Sequence, residues 1–298
     1  MLINPASGRE KVDKIVEVAK RKFNERDYHL DVYFSTCPND LTEKAYLWAH
    51  DYDTYIVCGG DGTVNEVING VMKSDIRPSI AIVPLGTVND IAKIFGIPKK
   101  VDQNLDLIFD LEPVATDINQ INDRYFVYVA AAGYLTAVSY DADREEKKKY
   151  GSLAYLKTGI RELRQKPFFK AKIECNNETY TKYVSLLLVL SANQFGGMKL
   201  FRFSKQTKLN DGLFDLRVFS YKRISLLFRL VLFILRAGKK QYHELQFSTN
   251  HAIITPLEDK EVNWNADGEL VTKGKVEIKS FKQALKFYVH PKRIKKLY

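Results

Sequence analysis

Cysteine is scarce in this chain, and long apolar runs are missing. The three cysteines, Cys37, Cys58 and Cys175, are odd in number and widely scattered, without metal-ligand spacing. They exclude a disulfide framework and suit buried thiols in a reducing compartment. The longest apolar runs, at 185–190 and 230–235, fall far short of a spanning helix. Met1 leads straight into a strand-like stretch and a motif, with no secretory signal between, so a soluble or peripheral cytoplasmic protein is expected. Low-complexity tracts and internal repeats are also absent, which argues against disorder. No recognised nucleic-acid-binding motif accompanies the charge, so nucleic acid is excluded as a partner.

What is present is ample apolar residue for two domains of ordinary size: 298 residues, 45% apolar and 12% aromatic. The net charge is +10, which suits an anionic nucleotide or an anionic membrane surface. The basic end Lys292-Arg293-Ile294-Lys295-Lys296 reads equally well as a solvated tail.

The most informative stretch is Cys58-Gly59-Gly60-Asp61-Gly62-Thr63-Val64-Asn65-Glu66. A β-branched run precedes it, and apolar residues at Val64, Val67, Ile68 and Val71 follow at helical spacing. Such a strand–turn–helix lets the backbone approach a bulky anion at the helix N-terminus. A second turn of this design is Pro84-Leu85-Gly86-Thr87-Val88-Asn89-Asp90, and a third opens the chain as Leu2-Ile3-Asn4-Pro5-Ala6-Ser7-Gly8. Three such units place their turns at one edge of a parallel sheet, where open α/β sheets bind ligands. A carboxylate in such a turn suggests a metal ion or a proton acceptor nearby. For Asp61 and Asp90 the alternative is helix N-capping.

Strand and helix patterns alternate to about residue 112 and then give way to strands at short spacing: 124–132, 169–175, 180–191, 213–219, 251–255, 261–266, 275–281 and 285–289. The expected fold is therefore α/β: an N-terminal three-layer parallel-sheet nucleotide domain at 1–116 and a C-terminal antiparallel β-sandwich domain with helices at 117–289. The tail at 290–298 is free to return to the first domain. Helices are expected at 152–164 and 224–237. The latter is apolar nearly all round with interspersed arginines, which fits either a core helix or an interfacial one, and burial is the favoured reading.

Asn-Pro-x-Ser-Gly, Gly-Gly-Asp-Gly-Thr-x-Asn-Glu and Pro-x-Gly-Thr-x-Asn-Asp together resemble the diacylglycerol kinase catalytic-domain family, in particular its soluble bacterial lipid kinases. The likeness continues through Lys208-Leu209-Asn210-Asp211-Gly212-Leu213 and Ala266-Asp267-Gly268-Glu269. It implies phosphoryl transfer from ATP, with Mg²⁺, to a lipid hydroxyl, diacylglycerol becoming phosphatidic acid. Nucleotide contacts are implied at Asn4, Pro5, Ser7, Gly8, Thr36, Gly59, Gly60, Asp61, Gly62, Thr63, Asn65, Gly86 and Thr87. Asp61 and Asp90 are implied to carry Mg²⁺. A second, structural Mg²⁺ is implied at Asp211 with the carbonyls of Lys208 and Leu213, reached by Asp117 through water. The proton acceptor is implied to be Asp267 or Glu269, which the sequence does not separate.

The implied partners are a lipid acceptor and the anionic inner face of a membrane, with homodimerisation left open. Two segments, Val129-Ala130-Ala131-Ala132-Gly133-Tyr134 and Asn193-Gln194-Phe195-Gly196-Gly197-Met198-Lys199, are poorer in glycine than is usual in the family. They leave the acceptor open, and a sphingoid base or another bacterial lipid is the rival. A non-catalytic lipid or nucleotide sensor is the reading from another class, against which the intact Asp61, Asp267 and Glu269 stand.

Overall fold

The computed structural model describes residues 1–7, 9–134, 168–192, 194–195, 198–199, 203, 208–220, 223–242, 244–258 and 261–298. Gly8, the helix expected at 152–164, and Asn193, Gly196 and Gly197 lie outside the described residues.

The first third alternates as its patterning dictates: β1 (Leu2–Ile3), α1 (Arg9–Asn24), β2 (Tyr33–Phe34), α2 (Asp40–Leu47), β3 (Thr54–Gly59), α3 (Asp61–Val71), β4 (Ser79–Pro84), α4 (Asp90–Phe95) and α5 (Val101–Asp110). The strands are parallel in the order β2-β1-β3-β4. Tyr55, Ile56, Val57 and Cys58 are all buried, as are Ile80, Ala81, Ile82 and Val83, because both faces of a parallel sheet are covered. The helical apolar positions do that covering: Val12, Ile15, Ala19 and Phe23 from α1, and Val64, Val67, Ile68 and Val71 from α3.

The remainder comprises β5 (Val114–Ile121), β6 (Arg124–Phe126), β7 (Val129–Gly133), β8 (Phe169–Cys175), β9 (Glu178–Val184), β10 (Leu186–Leu190), the hairpin β11 (Gln194–Phe195) and β12 (Met198–Lys199), and β13 (Phe214–Phe219). There follow α6 (Arg223–Leu235), β14 (Glu244–Thr249), β15 (His251–Pro256), β16 (Asn263–Ala266), β17 (Glu269–Lys273), β18 (Val276–Phe287) and α7 (Pro291–Leu297). Beyond β4 the first sheet continues through β18, β15, β8 and β9, with β5 and β6 paired alongside β18. A second, antiparallel sheet runs β14-β13-β10-β7-β16-β17. Trp264, Phe126, Phe214, Leu187, Val189 and Ile278 fill the space between the two sheets, which makes the expected sandwich.

Three expectations change. The stretch 124–132 is two strands in different sheets, parted at Val127 and Tyr128, whose N–H groups donate to Asp267 and not to a ladder. The stretch 180–191 likewise breaks at Ser185, whose hydroxyl donates to the Phe219 carbonyl (2.7 Å). Conversely, 275–281 and 285–289 form the one strand β18, with an irregularity between Phe281 and Leu285 where Gln283 takes a positive φ of 51°. Cys37 also departs from the expected burial: it is exposed, while Cys58 and Cys175 are buried.

Strand β18 belongs to both halves. Its early residues pair with β15 and with the far end of β5, and Phe287 pairs in parallel with Ile80 of β4. The chain then enters α7, where the His290 N–H donates to Phe95 O (3.0 Å) and Tyr298 joins the N-terminal core. Helix α6 lies on the outer face of the second sheet: Leu226, Leu230 and Phe233 cluster with Leu186, Leu188 and Phe219 there.

Candidate active site

The three polar turns meet because β1, β3 and β4 are neighbours running in one direction. Asn4 N–H donates to Cys58 O (3.1 Å), and Leu85 N–H donates to Gly59 O (2.8 Å). The Asn4 side chain donates to Thr63 Oγ1 (3.3 Å) and accepts from Ala6 N–H (3.0 Å), which fixes the turn of one helix (Pro5–Ser7) beside the start of α3. Gly60 and Gly86 face one another closely. A β-carbon on Gly86 would lie 2.7 Å from the Gly60 Cα, so the second turn admits no side chain there without parting from the first. Gly60 is the N-cap of α3 and makes no side-chain cap, and among the described residues no other side chain accepts from the helix start. Its first N–H groups therefore remain available to an anion. Thr87 is exposed on the rim of the second turn.

Asp61 is placed otherwise than as a free carboxylate. Its two oxygens accept the N–H groups of Asp90 (3.0 Å) and Ile91 (3.1 Å), at the start of α4. The preceding residue, Asn89, is left-handed (φ 51°) and makes no side-chain cap of its own, donating to Gly86 O instead. Asp61 supplies the missing cap from a neighbouring turn. Asp61 thus does cap a helix, α4 and not its own. Burial raises its carboxyl above the ordinary value, against the pull of those two N–H groups. Asp90 is buried; the Tyr128 hydroxyl donates to its Oδ2 (3.4 Å), and Lys93 Nζ lies 3.7 Å from its Oδ1. Each oxygen of Asp61 keeps lone-pair capacity beyond its one backbone partner, so these bonds orient the carboxylate without barring contact with a metal-bound water.

Removing that cap is expected to be costly. Asp61→Ala should lower stability by about 1–2 kcal/mol, the range of a lost N-cap, and loosen the junction of the two glycine turns. Thermal melts and nucleotide titrations of the variant check this. Unchanged melting and unchanged nucleotide affinity would contradict it.

Asp267 and Glu269 part company in the structure. Asp267 and Gly268 are the two-residue turn between β16 and β17, both with positive φ (46° and 94°), as a type I′ hairpin turn requires. The turn rolls Asp267 inward. Its Oδ2 accepts from Val127 N–H (2.7 Å), and its Oδ1 accepts from Tyr128 (3.1 Å) and Val129 (3.0 Å). Burial pushes this carboxyl up to about 7, although the three N–H groups pull it down. Glu269 stands outside, exposed, with its Oε1 against the Cα of Gly62, where a β-carbon would overlap it. The two carboxylates do not point to one side, as simple alternation would have them.

Behind Glu269 lies a cavity of about 50 Å³ lined by Asn65, Glu66, Asn69, Arg124 and Tyr125 among others. The buried Asn65 Oδ1 has no hydrogen-bond partner among the described residues. Burial raises the Glu66 carboxyl above its ordinary value, the N–H groups of Asn39 and Leu41 lower it, and the charge of Glu269 raises it further. Glu66 so serves the start of α2 as Asp61 serves α4.

Thr36 stands at the end of β2, its N–H and hydroxyl both donating to Asp40 Oδ2 (2.7 and 3.0 Å). The loop at 208–213 sits elsewhere, at the junction of β5 and β18. Asp117 is buried there, accepting from Gly212 N–H (2.6 Å) and Gln283 N–H (2.7 Å), and its carboxyl is raised by burial with the nearby Asp211 adding. Asp211 Oδ1 accepts from Leu213 N–H (2.9 Å), and its other oxygen has no hydrogen-bond partner among the described residues. Lys208 donates to the Tyr298 carbonyl (2.8 Å). An unbonded carboxylate oxygen beside a second carboxylate is a donor set that fits a hard cation such as Mg²⁺. Asn89, Lys93, Tyr128, Glu66 and Asp40 belong to the site's framework and carried no separate signal. Asn89 and Glu66 were within reach of the sequence, since both stand inside the quoted turn motifs.

Glycine turns converging on the start of α3, with a carboxylate of the second sheet standing over them, suit the binding of a phosphorylated ligand. Residues 1–121 match the diacylglycerol kinase catalytic domain. A diacylglycerol kinase of Bacillus subtilis (strain 168) is 31% identical over 271 residues, which is 90% of this chain and 88% of that protein. One of Staphylococcus aureus (strain bovine RF122 / ET3-1) is 30% identical over 90% of this chain and 85% of its own. A crystal structure of a diacylglycerol kinase from Bacillus anthracis str. Sterne superposes with a TM-score of 0.78 at 25% identity, covering 98% of this chain and 96% of that one. The chain belongs to the diacylglycerol kinase family, and with it to the lipid kinases.

Proposed function

We propose that the chain transfers the terminal phosphoryl group of ATP to the free hydroxyl of diacylglycerol, giving phosphatidic acid and ADP. One observation carries this reading: Glu269, an exposed carboxylate from the sandwich, stands over Gly62 at the uncapped start of α3. A hydroxyl lying there meets a proton acceptor on one side and helix N–H groups suited to phosphate on the other. Asn4, Pro5, Ser7, Gly8, Thr36, Gly59, Gly60, Gly62, Thr63, Asn65, Gly86 and Thr87 frame the nucleotide, with Asp61 and Asp90 holding the turns in register. The hydroxyl oxygen forms the new O–P bond, its proton passes to Glu269, and the bond to the β-phosphate oxygen breaks. Mg²⁺, when bound, supplies neutralisation of phosphate charge. Lys208, Asp211, Leu213 and Asp117 would hold a second such ion at the β5–β18 junction.

A long-chain acceptor stays in its bilayer, so the reading places the enzyme at the cytoplasmic membrane surface. Among the described residues no helix is long and apolar enough to cross a membrane.

The test is transfer of labelled phosphate from ATP to diacylglycerol, a sphingoid base and a bacterial lipid extract, each with Mg²⁺ and with chelator. Labelled phosphatidic acid that vanishes with chelator is expected. Label on the sphingoid base alone would move the acceptor. A folded, nucleotide-binding protein that labels nothing would leave a sensor.

A further inference from the structure

Helix α6 has two apolar faces, and the sheet takes only one. Leu226, Leu230 and Phe233 turn inward onto the second sheet. Phe228, Val231 and Leu235, at spacings of three and four, make the opposite face. Phe228 is 67% and Leu235 76% exposed, and Tyr242 just beyond the helix is 80% exposed. The favoured expectation of burial therefore holds for half of this helix and fails for the other half.

A solvated outer face would ordinarily be polar. A contiguous apolar patch rimmed by charge marks an interaction surface. The rim here has one sign. No acidic residue occurs between Asp215 and Glu244, while Arg236, Lys239 and Lys240 lie exposed at the C-terminal end of the helix. The patch is also held rigidly from behind. Arg217, fully buried, lies 4.1 Å from the Phe203 ring and 5.6 Å from the Phe233 ring. It donates to the Phe203 and Gly238 carbonyls and lies 3.8 Å from Glu244. That anchors the C-terminal end of α6, so presenting the outer face costs little further ordering.

We propose that the outer face of α6 is a membrane-docking surface, with Phe228, Val231 and Leu235 entering the acyl boundary of an anionic bilayer and the basic rim meeting its head groups. An anionic bilayer is the occupant whose chemistry matches both parts, since apolar insertion and lysine or arginine attraction act together at such interfaces. A second copy of this chain would bring another basic rim against the first, and like charges disfavour that pairing. The proposal rests on the lipid-kinase reading only for its purpose.

The experiment is co-sedimentation of the full chain, without ATP, with phosphatidylcholine vesicles and with vesicles partly of phosphatidylglycerol. The wild type should prefer the anionic vesicles and lose affinity as salt is added. Phe228→Glu/Leu235→Glu should bind them roughly a hundredfold more weakly, from lost insertion and added repulsion, with circular dichroism and melting unchanged. In a Val231→Trp variant the introduced indole should be quenched by brominated acyl chains. Wild-type-like binding by the double variant, or an unquenched indole, overturns the proposal. So does a wild-type dimer that the double variant splits with vesicle binding unchanged, which would give the face to a second copy. Vesicle binding by a chain that phosphorylates no lipid would refute the kinase reading and leave this one standing.

Discussion

Glu269→Gln is expected to leave fold and nucleotide affinity in place while turnover falls roughly a hundredfold or more, the usual range for losing a positioned general base. The side chain is exposed and stands against Gly62 across the cleft, so its removal breaks no packing. The amide keeps the shape and loses the capacity to take a proton. Single-turnover transfer to diacylglycerol, measured beside nucleotide binding, separates the two effects. Normal single-turnover rates would place the proton acceptor elsewhere.

Asp267→Ala is expected to act on the fold. It strips the acceptor from three buried N–H groups at 127–129, and each buried donor left unsatisfied costs about 1–3 kcal/mol, so a loss of several kcal/mol is expected. Alanine also tolerates the left-handed turn poorly. Denaturant titration checks the size; a loss below about 1 kcal/mol would mean that water or neighbouring groups satisfy the turn. The same carboxylate gives a pH signature. Its folded value of about 7 lies above the ordinary 3.8. Between those values the folded chain keeps a proton that the unfolded chain has released. The stability it contributes is therefore full below the unfolded value and declines as pH rises through the folded one. Asp267→Asn cannot titrate, so the melting advantage of the wild type over it should shrink as pH rises from about 4.5 to 7.5.

The parts legible in the sequence were those written locally. The three turns announced themselves by glycine between a β-branched run and a helical period, and the inward residues of α1 and α3 fell where that period placed them. What was hidden is non-local. Nothing near 124–132 says that Val127 and Tyr128 withdraw from pairing, because the acceptor that claims them, Asp267, lies 140 residues from Val127. The joining of 275–281 to 285–289 is hidden likewise, since Asp117 anchors the irregular Gln283 from another strand. Asp61 reads as a site carboxylate, and that its oxygens also tie down the start of another helix, as Glu66 does for α2, is a role that only three-dimensional adjacency creates. The carboxylates of Asp-Gly-Glu could not be separated until the turn put one inside and one out. Helix α6 was ambiguous for a different reason: an apolar residue looks the same in sequence whether it meets a protein interior or a bilayer.

Strand β18 restricts how this molecule can move. A cleft between two separately folded halves usually opens by swinging about a slack linker. Here the halves share a strand, hydrogen-bonded to β4 at one end and to β15 at the other. A swing would have to tear that ladder. The irregularity between Phe281 and Leu285 is where the shared strand leaves regular pairing, so a bend of the continuous sheet would fall there. Melting of either half would pull on the strand it shares with the other.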